Sequence, residues 1–190
     1  KRYGYDWADL WLINTHNGIK GKLDRIHIED YPAVKAHLDQ YWDKISTRAD
    51  KGDTPYNLRN CAYLDDFSKP KIVWKRIGSI LRFSYDDRGC FGLDSTCFAT
   101  GSQLSYLACV LNSKIGHYLL KDSPCTGTGD LLISVQAIEP LKIPMLSNNF
   151  FDELLCRILS GSKDAETNAF HAISDLYDFN QEEREYILMR

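Results

Sequence analysis

Apolar residues recur along this chain at two different spacings, and these spacings predict helices in some segments and strands in others. Between residues 32 and 48 the apolar positions return every three or four residues, which predicts one amphipathic helix with a proline in its first turn. The same spacing predicts a helix over about residues 101–115. Two apolar stripes predict a helical tail over residues 150–190, in which Asn180 and Glu183 form the capping box of the last helix.

Runs of β-branched and aromatic residues between turn signals predict the strands. The run Ile-Val-Trp at residues 72–74 lies between a proline and a glycine and predicts a short buried strand. Meandering β-structure, with strand residues at Phe91 and Leu93, is expected between about residues 71 and 100. A further strand is expected over residues 131–135. The apolar run at residues 10–13 fits a strand or a helical turn, and we favour the strand.

Alternation along the central strand predicts which of its side chains face solvent. Ile72 and Trp74 are expected to face the core, so Lys71 and Lys75 are expected to face outward. Arg76 is expected to lie where the strand leaves the core.

These elements predict an α+β fold with a mixed β-sheet, flanking helices and a helical C-terminal tail. The expected division is a sheet-containing domain over residues 1–149 and the tail over residues 150–190. With 190 residues, 44% hydrophobic and 26% charged, the chain resembles a soluble globular protein. No apolar run approaches the roughly 20 residues of a membrane-spanning helix. We therefore expect a cytoplasmic protein with no membrane partner.

The cysteine spacing and the first residue indicate the redox compartment of the protein and its relation to a longer chain. None of the six cysteines forms a C-x-x-C pair, so we expect reduced thiols in a bacterial-type cytosol and no zinc site. The chain begins at Lys1 without methionine, and we expect it to be a segment of a longer protein.

The charge of the chain is distributed unevenly. The formal net charge is −3, but residues 48–88 hold nine basic and six acidic residues, a net charge of +3. Residues 150–190 hold four basic and nine acidic residues, a net charge of −5. The basic excess therefore coincides with a cluster of aromatic residues around the predicted central strand, and a local patch of this kind favours binding to a polyanion.

Cations among aromatic residues near a strand are typical of a DNA-binding surface, because the cations contact phosphates and other side chains contact base edges. The candidate DNA-binding residues share this segment: Tyr56, Arg59, Lys69, Lys71, Lys75, Arg76, Tyr85 and Arg88. Arginine's two-pronged donor favours Arg59 and Arg76 as base readers and the lysines as phosphate contacts. Long cationic side chains also protect strand edges from aggregation, and this structural interpretation stays open.

Several phrases of the sequence are similar to one known family. They are Tyr-Asn-Leu-Arg-Asn-Cys-Ala-Tyr at residues 56–63, Phe-Ser-Lys-Pro-Lys-Ile-Val-Trp at residues 67–74, Leu-Asn-Ser-Lys at residues 111–114 and an Ile-Pro exit at residues 143–144. With them the chain resembles the TaqI-like C-terminal specificity domain, the target recognition domain of type IIG restriction–modification enzymes. The resemblance implies double-stranded DNA as the ligand and fused methyltransferase and nuclease domains as partners. It also implies a parent enzyme that methylates adenine at N6, with S-adenosylmethionine and Mg as the parent's cofactors.

The motifs of catalysis are missing from the sequence. There is no Pro-Pro for the adenine methyltransferase motif, no H-E-x-x-H, no P-loop and no G-x-S-x-G. We therefore expect a non-catalytic segment with no catalytic residue, no metal site and no cofactor of its own. A protein-interaction scaffold built on the helical stripes is the alternative, and a hydrolase using Ser, His and Asp is disfavoured.

Overall fold

The computed structural model describes residues 1–146 and 149–190, which form two compact units. We call one the sheet unit, made of Lys1–Trp7 and Phe67–Arg190, and the other the loop unit, made of Ala8–Asp66.

The helices and strands occur in groups along the described chain, with four strands between the first two helices and the remaining helices. Its α-helices are α1 (Pro32–Asp39), α2 (Trp42–Thr47), α3 (Leu104–Asn112), α4 (Lys114–Leu119), α5 (Val135–Ile138), α6 (Phe150–Leu159), α7 (Lys163–Leu176) and α8 (Gln181–Leu188). Its strands are β1 (Lys71–Lys75), β2 (Ile77–Gly78), β3 (Phe83–Asp86), β4 (Thr96–Thr100) and β5 (Leu131–Leu132). Short 3-10 helices cover Ile28–Asp30 and Leu64–Ser68.

The predicted α+β fold is confirmed, and its sheets are small. In the sheet unit β1 is the central strand of a three-stranded antiparallel sheet in the order β3-β1-β4, and β2 pairs with β5. Among the described residues, the expected mixed character is limited to one isolated parallel bridge between Tyr3 and Ser84. The predicted strand at residues 72–74 is therefore correct, and it lies at the middle of the sheet.

Helix α3 is the centre of the sheet unit's core and packs against β1, β3, α4, α6 and α7. Ile72 and Phe83 on the facing side of the sheet are fully buried. The buried side chain of Asn112 joins α3 to β3, because its Oδ1 accepts the Phe83 amide at 3.0 Å and its Nδ2 donates to the Phe83 carbonyl at 2.7 Å. A polar bridge of this kind fixes the position of the helix on the sheet.

The helical tail is an integral part of the sheet unit. Its apolar stripes are buried where α6 packs on α7 and on α3: Leu154, Leu155, Ile158, Phe170 and Ile173. The predicted division after residue 149 differs from the observed compact units, because these stripes complete the core formed by α3. The capping box of α8 is present as predicted, with Asn180 accepting the Glu183 amide and Glu183 accepting the Asn180 amide.

Two predicted helices are each divided. The helix expected over residues 32–48 is interrupted between α1 and α2, where the amides of Gln40 and Tyr41 bond to carbonyls only three residues earlier. The helix expected over residues 101–115 ends at Asn112. Ser113 is extended there and caps α4, because its Oγ accepts the Gly116 amide at 3.2 Å.

Three predicted strand assignments are wrong. Residues 10–13 form no strand, and Leu10 and Trp11 are 76% and 85% exposed; an unbroken apolar run offers no single face to bury against a sheet. Phe91 and Leu93 lie in the loop before β4, and Phe91 stacks on Phe67. The strand expected over residues 131–135 stops at Leu132, and Val135 begins α5.

The loop unit is organised around Asn57, a buried residue of the motif at residues 56–63. Its side chain accepts from Thr54 at 2.6 Å and donates to the carbonyls of His16 and Ile26 at 3.3 and 2.9 Å. The backbone on either side is held by Thr15, which bonds to the Tyr56 carbonyl through its hydroxyl. Asn57 is therefore a structural centre, and Arg59, two residues further along the same motif, is exposed.

Candidate nucleic-acid interface

The eight predicted DNA-binding residues divide between the two units. Tyr56 and Arg59 belong to the loop unit, and the other six belong to the sheet unit. Within the sheet unit, β1 separates them further, because Lys75 and Arg76 lie at its C-terminal end while Tyr85 and Arg88 lie near its N-terminal end. The four residue steps of β1 span about 13 Å, so these two groups are distinct surfaces.

Lys71 is not on the surface, and the prediction that it faces outward and contacts DNA is wrong. Its side chain is 1% exposed, and its Nζ lies 2.6 Å from Oδ2 of Asp86, directly opposite on β3. Nζ also donates to the Phe67 carbonyl at 2.6 Å. The outer face of the sheet is covered at this point by Phe67, which contacts the rings of Phe91 and Phe98. Alternation places Lys71 on the correct face, but that face is not solvated there.

The Lys71–Asp86 ion pair organises the loops at this end of the sheet. Asp86 also accepts the Tyr5 hydroxyl at 2.8 Å and the amides of Arg88 and Cys90 at 2.9 and 3.0 Å. Burial alone would raise the pKa of Asp86, but the hydrogen bonds from Lys71, the Arg88 amide and Tyr5, together with the Lys71 charge, lower it below its usual value. Asp86 is therefore ionised at neutral pH, and its contact with Lys71 has a structural role.

Lys75, Arg76 and Arg82 form an exposed cationic group that we call the basic end. Because β1 and β3 are antiparallel and Trp74 pairs with Phe83, the residue after Trp74 and the residue before Phe83 are neighbours. Lys75 and Arg82 accordingly line the same small cleft. Within residues 1–146 and 149–190 none of the three cations is paired with a carboxylate.

The backbone beneath the basic end is held firmly. The Arg76 amide donates to the Ser95 carbonyl at 3.0 Å, and the Arg76 carbonyl accepts from Ile133 at 2.8 Å. Trp74 lies in the core and donates from Nε1 to the Ile133 carbonyl at 2.8 Å. The predictions that Lys75 faces outward and that Arg76 lies where the strand leaves the core are therefore confirmed.

Tyr85 and Arg88 line a different surface, a cleft of about 510 Å³ with Tyr5, Asp87 and Asp152. The cleft wall carries two carboxylates, and burial together with Asp87 and Asp152 raises the pKa of Tyr85. A cleft with this charge repels a phosphate backbone. The geometry therefore places these two predicted residues in surroundings less suited to DNA than the basic end.

The remaining predicted residues differ in how far they are engaged within the protein. The Tyr56 hydroxyl donates to Asp39 at 2.6 Å, and Lys35 lies 5.2 Å from the centre of the Tyr56 ring. Tyr56 is thus part of the packing on α1. Arg59 is exposed and takes part in no ion pair among the described residues. Lys69 is exposed in the loop before β1.

Arg82 is the residue that reasoning from the sequence missed. It lies between the apolar residues Leu81 and Phe83, within the basic segment at residues 48–88 but outside the set of candidates chosen from it. The antiparallel pairing could have indicated Arg82. In a β-meander the residue that precedes one strand lies beside the last residue of the strand with which it pairs.

The described ranges offer neither a metal site nor a membrane span. In them, no group of three or more His, Cys, Asp and Glu side chains could hold a metal ion. No helix of these ranges is both long enough and apolar enough to cross a bilayer.

Comparison with family models and with curated proteins finds no match. The resemblance to TaqI-like specificity domains therefore stays a prediction, and the geometry of the basic end is the main support for a function.

Proposed function

We propose that this chain is the DNA-specificity domain of a type II restriction–modification enzyme and that it binds double-stranded DNA through the basic end. The observation that carries the proposal is that Lys75 and Arg82 are exposed beside each other at a fixed sheet end, with Arg76 next to Lys75 in the chain, and that no carboxylate among the described residues is paired with any of the three. Cations in this state are available to phosphates, and the release of counterions from DNA then supplies the affinity.

The three cations differ in what they can recognise. Arg76 is the candidate base reader, because its backbone is fixed by two hydrogen bonds and its planar guanidinium matches the two acceptors of guanine in the major groove. Lys75 and Arg82 are the candidate phosphate contacts that set the register on the duplex. Arg59, exposed after the Asn57 centre of the loop unit, remains a predicted second reader.

In this proposal the chain performs no chemistry itself. It positions the methyltransferase and nuclease domains of a parent enzyme, which use S-adenosylmethionine and Mg, over an adenine flipped out of the duplex. The purified chain is expected to show no methyltransferase, nuclease or hydrolase turnover. Turnover that a point substitution within the chain abolishes would contradict this part of the proposal.

The test is DNA binding measured by fluorescence anisotropy across a series of salt concentrations. The sequence that the chain binds is first identified by selection from a library of randomised duplexes. Lys75→Ala and Arg82→Ala are each expected to weaken all duplexes alike and to lower the salt slope by about one unit. Arg76→Ala is expected to cost about 1–3 kcal/mol and to relax one position of the selected sequence.

The matched control is Lys163→Ala, which removes an equally exposed lysine from the start of α7. It is expected to leave both affinity and salt slope unchanged. If all three substitutions at the basic end behaved like the control, these cations would serve only as edge protection.

The alternative of a protein-interaction scaffold loses its proposed surface. That hypothesis requires the apolar stripes of the tail as a contact face for partner subunits. Most residues of the stripes are buried within the sheet unit, where Leu155 and Ile173 are at most 2% exposed, although Leu159 at the end of α6 is 51% exposed.

A further inference from the structure

A second cationic surface lies on the helical side of the sheet unit, between α4 and α8. A cavity of about 310 Å³ opens there, at the small end of the roughly 300–1,000 Å³ typical of ligand sites. We call it the α4–α8 cleft, and its lining residues are Lys114, His117, Tyr118, Lys121, Tyr186 and Arg190. Three of the six have basic side chains, and none has an acidic side chain.

Helical spacing brings these residues together. His117, Tyr118 and Lys121 follow Lys114 by three, four and seven positions, so the four residues share one face along α4 and the turn that follows it. The rings of Tyr118 and Tyr186 meet edge to face with their centres 6.1 Å apart. This contact joins α4 to α8 and forms the floor between the cations.

The tyrosines hold the cations in place. Nζ of Lys121 lies 4.3 Å from the centre of the Tyr118 ring. The Arg190 guanidinium lies 5.0 Å from the centre of the Tyr186 ring and donates to the Tyr186 hydroxyl at 2.8 Å. A cation positioned on an aromatic ring has lost part of its freedom before a ligand arrives, which favours binding.

The positive charge of the cleft is largely uncompensated. Among the described residues, Asp122 is the acidic partner of Lys121, with its Oδ2 3.8 Å from Nζ of the lysine. The Asp122 side chain is 88% exposed, so solvent screens this pair. Burial, with Arg2 and Lys114, lowers the pKa of His117, so its imidazole is neutral at pH 7. Nε2 of His117 is shielded from solvent and has no hydrogen-bond partner among the described residues.

We propose that the α4–α8 cleft binds a phosphate group, carried either by a small phosphorylated molecule or by a DNA backbone. Lys114, Lys121 and Arg190 carry three positive side-chain charges, which suit the roughly −1.5 to −2 of a phosphate monoester or the single charges of adjacent phosphodiesters in a DNA backbone. Arginine's fork and lysine's point charge are both typical phosphate ligands. Because the tyrosine faces are already covered by cations, the cleft recognises the phosphate and not the group attached to it. This site is separate from the basic end, and the inference does not depend on the proposed DNA-recognition function.

The experiment is an NMR titration of the chain that follows the His117 ring signal at constant ionic strength. Inorganic phosphate, adenosine monophosphate, adenosine and a short duplex are added in separate arms. Inorganic phosphate and adenosine monophosphate are expected to bind with similar affinity, and adenosine is expected not to bind. If the duplex alone moves the signal, the phosphate comes from a DNA backbone; if the small phosphates alone move it, the source is a small molecule.

Variants test whether the cations carry the binding. Lys121→Ala and Arg190→Ala are each expected to weaken phosphate binding about tenfold or more. Lys121→Arg is expected to keep it, as is Lys163→Ala, and thermal unfolding checks that each variant folds. A triple alanine variant of the basic end is expected to bind inorganic phosphate normally, so failure of the DNA proposal and failure of this one give different results. The proposal is overturned if no phosphate-bearing arm moves the His117 signal, or if Lys121→Ala and Arg190→Ala both retain the original affinity.

Discussion

Replacement of Lys71 by methionine would remove one charge from the buried ion pair at the N-terminal end of β1. Methionine approximates the length of lysine, so the main loss is the ammonium group that contacts Asp86 and the Phe67 carbonyl, each at 2.6 Å. Both side chains of the pair are at most 2% exposed, so Asp86 would remain buried without its counter-ion. Breaking such a pair typically costs about 3–5 kcal/mol. For a chain of this size that corresponds to a fall in Tm of roughly 6–20 °C.

The cost should depend on pH with a defined sign. In the native protein the pKa of Asp86 is below its usual value, so the pair's contribution is complete above the unfolded pKa of about 4. It is lost as the pH falls through the lower folded pKa. In Lys71→Met the pKa of Asp86 rises because burial is no longer opposed by the lysine. The difference in unfolding free energy between the two proteins is therefore expected to be largest near pH 7 and to shrink as the pH falls and Asp86 is protonated in the variant.

Amide hydrogen exchange at β1 and β3 measures this effect in the sheet unit alone, and thermal unfolding measures it for the chain. Lys75→Met is the matched control, because it makes the same change at the exposed end of the same strand. It is expected to alter stability by at most about 0.5 kcal/mol. The reasoning is refuted if Lys71→Met is as stable as Lys75→Met at pH 7, or if its deficit grows as the pH is lowered.

Four further substitutions probe the core of the sheet unit, each by thermal unfolding. Asn112→Leu is expected to cost about 1–3 kcal/mol, because it leaves the buried amide of Phe83 without an acceptor; an unchanged Tm would show that the bridge is dispensable. Leu155→Ala and Ile173→Ala are each expected to cost about 2–5 kcal/mol, and a pair of unchanged Tm values would mean that the tail is loosely attached. Gly116→Ala is expected to destabilise the chain, since the added Cβ would meet a carbonyl of α3 closer than real contacts allow; wild-type stability would argue against this close approach.

Local chemistry explains which elements could be predicted from the sequence. The strand at residues 72–74 and the capping box at Asn180 depend on signals carried within a few residues, and both are present. The incorrect predictions concern the points where helices are interrupted and the surfaces against which apolar residues are buried. Ser113 divides a continuous apolar spacing because its hydroxyl caps the next helix, which competes with helix propagation. The run at residues 10–13 has the composition of a strand, but an unbroken apolar run does not specify which side is buried.

The site was predictable only where burial follows from alternation. Lys75 and Arg76 are exposed as expected, because β1 ends there and the sheet gives way to a bend. Lys71 could not be placed, because its burial depends on Asp86 from β3 and on Phe67 from the preceding loop. Both are close to it only after the chain has folded.

The register of the sheet, more than the local density of basic residues, determines which cations reach a partner. Lys71 and Lys75 lie on the same face of the same strand, yet β3 places a carboxylate opposite the first and Arg82 beside the second. One lysine is therefore neutralised within the fold, while the other becomes part of a cationic group that alternation along one strand could not supply. If the register were shifted by one residue, Asp86 would turn to the other face, and Lys71 would be left buried without its counter-ion. The ion pair thus fixes the register that assembles the basic end, and this connects the stability of the sheet to the surface proposed to bind DNA.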